Sequence, residues 1–129
     1  VLILVFILKI LHPRSKDQIF QIDDADFVDF DVPEWGGSIR LRPMTGKERS
    51  EWEFWATSRT DGKGKSDYRG IRERLIVACA VDEDGESLFT EDDLESLSAK
   101  NADVLDRISD KCQQISGMAP ESVEQAGKN

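Results

Sequence analysis

The chain has 129 residues, which fits one domain, with 39% hydrophobic and 33% charged residues and a net charge of −9. An acidic surface repels phosphate backbones, so nucleic-acid binding is not expected. With His12 as its single histidine, set beside Pro13, and no Cys/His cluster at zinc spacing, the chain offers neither a His-based triad nor a zinc site.

Val1–Leu11 is almost wholly apolar but is about half the length of a membrane span, and Lys9 interrupts it. No basic region precedes it and no small-residue cleavage site follows, so it fits a signal peptide poorly. Three readings stand: a β-rich segment adding to a sheet or a neighbouring subunit, a misassigned start, or a membrane anchor. His12–Asp17 is read as a linker. Ile19–Val32 alternates loosely, with Ile22, Phe27 and Phe30 among five aspartates (Asp23, Asp24, Asp26, Asp29, Asp31). Their spacing is not that of a metal loop, and a solvated loop and outer strand face are expected.

Phe27–Val32 and Ser38–Arg42 are predicted to form a hairpin across Pro33-Glu34-Trp35-Gly36-Gly37, whose glycines tolerate the positive φ of hairpin turns. Ile39 and Leu41 face one side and Ser38, Arg40 and Arg42 the other. Both arginines are expected to pair with cross-strand aspartates; recognition of an acidic partner is the alternative. Thr45-x-x-Glu48 is a capping box opening a helix to about Ser58. Trp52, Trp55 and Ala56 share one face, with Phe54 on a flank; they read as a core seam, part of which could serve an interface. Arg59–Asp67 is a polar, flexible connector whose G-x-G lacks a phosphate-loop context.

Tyr68–Val81 is predicted as the most apolar helix and the centre of the core. Asp82–Glu86 reads as a turn. With Gly85 at the invariant glycine of a calcium loop, Asp82, Asp84 and Glu91 fall on ligand positions, but Ala80 and Ser87 occupy the first and eighth, so a plain turn is favoured over a calcium-responsive module. Thr90-x-x-Asp93 caps a short helix through Leu94 and Leu97. Ser98–Asn101 re-caps a longer one bearing Val104, Leu105, Ile108, Cys112 and Ile115, with Gly117 as its C-terminal stop. Cys79 and Cys112 fall on apolar helix faces and are expected as reduced core thiols. Met118–Asn129 is expected to be a disordered acidic tail.

The expected architecture is α+β: a small N-terminal β-hairpin or sheet packed on three to four α-helices. The divisions are an apolar extension and linker (1–16), the α+β domain (17–117) and the tail (118–129). The carboxylates sit in turns, caps and the tail, where none gains the raised pKa of an acid catalyst, so no enzyme and no cofactor are expected.

The order of these motifs resembles the tail assembly chaperones of long-tailed bacteriophages. The resemblance rests on Pro33-Glu34-Trp35-Gly36-Gly37, Gly46-Lys47-Glu48-Arg49, Asp82–Gly85, Leu88–Leu94, and Leu105-Asp106-Arg107 through Ser116-Gly117. Val1–Leu11 has no counterpart in that pattern, and the resemblance therefore implies a native start near Ser15 or Lys16. The resemblance implies a non-enzymatic protein that binds the hydrophobic tape-measure protein, keeps it soluble and recruits tail-tube subunits. It also implies a place in the host cytoplasm and absence from the mature virion. In many such phages a frameshift appends a second domain, which here would begin in the tail. A homo-oligomer is compatible with this reading, and neither nucleic acid nor membrane is implied as a partner. The alternative is a structural tail or head–tail connector protein retained in the particle. The residues expected at a partner surface are Trp35, Arg40, Arg42, Trp52 and Trp55, with Trp35 the most available and Trp52 and Trp55 mostly in the core.

Overall fold

Side-chain caps set the starts of three of the five helices. The structure, a computed structural model, describes residues 13–118, and the expectations for Val1–Leu11 and for residues 119–129 lie outside that range. Helix α1, Lys16–Gln21, opens on a capping box: Gln18 N–H donates to Ser15 Oγ (3.2 Å) and Ser15 N–H to Gln18 Oε1 (2.9 Å). This helix replaces the predicted linker and loose strand. Its signal, Ser15-x-x-Gln18, stands in the sequence. None of its residues is buried.

Strands β1 (Val28–Val32) and β2 (Gly37–Leu41) form the predicted hairpin, with Phe30 opposite Ile39 and Asp29 opposite Arg40. Pro33–Trp35 makes a 3-10 turn that ends on Gly36 at φ 77°, where a side chain would be strained. The alternation of β2 is as expected: Ile39 and Leu41 are buried and Ser38 is exposed.

Helix α2, Gly46–Ser58, carries the predicted capping box, Glu48 N–H to Thr45 Oγ1 at 3.1 Å and Thr45 N–H to Glu48 Oε1 at 2.9 Å. The Arg59–Asp67 connector, expected to be flexible, is closed by Asp67 N–H to Arg59 O at 2.9 Å. Within it the Asp61 carboxylate accepts from Lys63 and Lys65 N–H.

The predicted Tyr68–Val81 helix is shorter. Gly70, at φ 83°, stops helical propagation from its N-terminal side, so helix α3 spans Ile71–Cys79. Ala80–Val81 leaves the helix to form strand β3 against Arg40–Leu41, giving a three-stranded antiparallel sheet in the order β1-β2-β3. Arg42 N–H continues this ladder to Cys79 O at 2.8 Å. Satisfying the main chain of β2 outweighs one further helical turn. The Asp82–Glu86 turn follows. Asp82 Oδ1 accepts from Asp84 and Glu86 N–H, and Leu88 N–H returns to Ala80 O at 3.0 Å.

A 3-10 turn at Glu91–Asp93, with Thr90 N–H on Asp93 Oδ2 (2.8 Å), leads into helix α4, Leu94–Ser98. Helix α5, Ala102–Ile115, is capped by Asn101, whose Oδ1 accepts from Asp103 and Val104 N–H. It stops as predicted at Gly117 (φ 70°): Met118 N–H donates to Gln113 O and Gly117 N–H to Gln114 O, a Schellman motif. Met118 is buried by that closure, so it belongs to the core, not to the tail.

The fold is α+β, with five α-helices and one sheet among the described residues. Its centre is the seam between α3 and α5, where Leu75, Ile76 and Cys79 meet the buried face of Leu105, Ile108 and Cys112. Leu75, Ile76 and Ile108 are fully enclosed, each contributing about 2–3 kcal/mol of burial. Both cysteines are free thiols in that seam. No helix among the described residues is long and apolar enough to cross a membrane.

Candidate partner-binding surface

The first component of the site is the joint between β2 and α2. Pro43 ends the strand, and the turn of chain that follows places Arg42 over the first turn of α2. Its guanidinium grips Glu48 with both arms, at 2.7 and 2.6 Å. Glu48 already closes the capping box, so one carboxylate serves the helix start and the ion pair. The Arg42 hydrogen bonds, together with the Thr45 N–H, hold the Glu48 carboxyl down at about 2. This corrects the expected pairing of Arg42 with a cross-strand aspartate. Arg40 does make that pair, with Asp29 directly opposite at 2.8 Å. The difference is geometric: Arg42 lies one residue beyond the end of β1–β2 pairing, where no aspartate faces it.

Behind the joint, α2 and α3 enclose a cleft of about 430 Å³ lined by Arg42, Glu48, Trp52, Trp55, Arg74 and Leu94. Helical spacing brings the two tryptophans there. Trp52 is buried, and its indole Nε1–H meets no acceptor among the described residues. An unpaired buried donor costs about 1–3 kcal/mol, and this one is enclosed, without a surface of its own on the cleft. Trp55 is half-buried. Arg59 and Arg74 place their guanidinium carbons 4.3 and 4.5 Å from its ring centroid. Arg59 is in turn held by Arg69 O and Asp67, and Arg74 by Glu91 at 2.8 Å. These contacts fix the ring as a rigid wall.

Trp35 and Arg40 line a different cleft, of about 500 Å³, with Ile39, Leu88 and Phe89. Trp35 also borders a more apolar cleft of about 510 Å³ with Phe89 and Leu97. It is half-buried against the core and not held clear on its turn. Its neighbour Glu34 pairs with Arg107 of α5, which ties the turn down. The five expected residues therefore fall into two groups: Arg42, Trp52 and Trp55 in one cleft, Trp35 and Arg40 in another.

Arg59 and Arg74 escaped the sequence reading. Arg59 stands four residues after Trp55, a helical contact spacing that could have identified it; Arg74 comes from α3 and only tertiary packing reveals it. Phe54, placed on the flank of α2, is 74% exposed. Among the described residues no group of three or more His, Cys, Asp or Glu side chains is arranged to hold a metal ion. The chemistry available here is apolar contact, aromatic stacking and charge-assisted hydrogen bonding, the repertoire of protein–protein recognition.

No family model matches the chain, and no curated protein sequence does. Among solved structures, the fold is similar to that of the bacteriophage HK97 tail assembly chaperone. The TM-score is 0.53 at 19% identity, covering 81% of this chain and 92% of that one. At that identity the likeness is one of fold: this chain adopts the α+β architecture seen in a phage tail assembly chaperone.

Proposed function

We propose that the chain is a non-enzymatic phage tail assembly chaperone that binds the tape-measure protein and recruits tail-tube subunits while the tail is built. The observation that carries this reading is the fold likeness, which spans nearly the whole of the HK97 chaperone. The motif order noted in the sequence supports the same family independently. The α2–α3 cleft supplies a means: a client side chain packs into it against the half-buried Trp55 ring, over a wall that includes Trp52. Such binding is reversible, as release at tube polymerisation requires. On this reading the protein works in the host cytoplasm and leaves before the virion is complete.

The test is co-expression of the full chain with a phage tape-measure protein and tail-tube subunit, followed by affinity capture and mass spectrometry of purified virions. The expected result is capture of either client and absence of the chain from virions. Capture of neither client overturns the proposal. Stoichiometric presence in virions favours a structural tail or connector protein instead.

A further inference from the structure

We infer a second docking surface, distinct from the tryptophan cleft: the arm formed by α1 and the segment leading to β1, which receives a basic amphipathic helix of a partner protein. The inference rests on exposure and charge alone and stands independently of the chaperone reading. Ile19, Phe20, Ile22 and Phe27 are 53%, 77%, 54% and 49% exposed, four large apolar side chains within one short stretch. Soluble proteins scatter such residues singly; grouped, they mark an interaction site. Helix α1 has a complete capping box, which fixes its first turn, and it buries none of its residues against the domain.

The charge around these side chains selects the partner. Within the arm, Lys16–Phe27, four carboxylates (Asp17, Asp23, Asp24 and Asp26) stand against Lys16 alone, a net −3, and Asp29, Asp31 and Glu34 follow in the hairpin. Asp29 and Glu34 are neutralised by Arg40 and Arg107. Asp17, Asp23, Asp24, Asp26 and Asp31 enter no ion pair among the described residues, although Arg and Lys elsewhere are paired freely. An apolar patch rimmed by uncompensated carboxylates complements a segment with an apolar stripe flanked by Lys or Arg. A helix suits it better than a strand. The main chain of α1 is committed to its own hydrogen bonds, so recognition here is by side chains.

The probe is a labelled Leu/Lys peptide of about 18 residues with apolar residues at i, i+3 and i+4, and a Leu/Glu peptide of the same pattern as control. Binding to the full chain is read by fluorescence anisotropy. The parent is expected to bind the Leu/Lys peptide with an affinity that falls as salt rises, and to ignore the Leu/Glu peptide. Phe20→Ser with Ile22→Ser, and separately Asp23→Asn with Asp24→Asn and Asp26→Asn, are each expected to weaken binding about tenfold or more. All five positions are exposed, so the thermal melt of each variant stays at the parent value. No binding by the parent, equal binding of the two peptides, or unchanged affinity in both variants overturns the proposal. So does a parent oligomer that dissociates in the Phe20/Ile22 variant with peptide affinity unchanged, which would make the patch a contact between copies. Occupation of the patch by the chain's own residues 1–11 would show as no binding by the parent, which overturns the proposal.

Discussion

Arg42 and Glu48 form a two-armed ion pair that fastens the end of the central strand to the first turn of the tryptophan-bearing helix. Because Glu48 also closes the capping box, its charge supports both the strand–helix joint and one wall of the cleft. The pair predicts an acid dependence. The carboxyl sits at about 2 in the fold against an ordinary 4.5. A depressed carboxyl contributes stability that is in place above pH 4.5 and is lost as pH falls toward 2. The full shift corresponds to ~3 kcal/mol; with the side chain 32% exposed, solvent screening reduces this to ~1–2 kcal/mol. Urea unfolding of the parent should weaken by that amount across this window, and Glu48→Gln should be weaker at pH 7 and flatter with pH. An identical pH profile for the variant would show that Glu48 does not supply the dependence.

Trp52→Phe separates stability from binding. The indole N–H is buried without a protein acceptor, so its removal relieves an unpaired donor while losing some ring area. These offset, and the unfolding free energy should change by less than ~1 kcal/mol. Client capture should stay at the parent value, since an enclosed donor offers nothing to a client. A several-fold loss of capture would show that the cleft opens to present Trp52 Nε1–H.

Ser15→Ala tests the independence of the arm. Losing the cap costs helix α1 about 1 kcal/mol. Since α1 buries no residue, the global denaturant midpoint should not move, while amide exchange over Lys16–Gln21 should accelerate. A shift in the global midpoint would show that α1 is packed into the cooperative unit.

Cys79 and Cys112 are fully buried in the α3–α5 seam. Placed beside Cys79 and desolvated, the Cys112 thiol is pushed well above its ordinary value. Both should resist a water-soluble alkylating agent in the native state and react only as the chain unfolds, at a rate following denaturant concentration. Rapid labelling of either thiol under native conditions would contradict that enclosure.

The sequence by itself determined whatever depends on neighbours three or four residues apart. The capping boxes at Ser15, Thr45 and Thr90, the Pro33–Gly37 turn, the periodic face of α5 and its stop at Gly117 are local hydrogen bonds and local sterics, all written in adjacent residues. Only the tertiary structure decided where long-range partners lie. Ala80 and Val81 continue a helical pattern, yet they pair as a strand because the main chain of Arg40–Leu41 requires partners. Arg42 reads as a strand-face cation, yet it turns to Glu48 because strand pairing has ended one residue before it. Arg74 lies nineteen residues after Trp55, yet the approach of α3 sets it on that ring. In each case the competing partner is distant in sequence and close only once the chain has folded, and that proximity supplies the energy that overrides local preference.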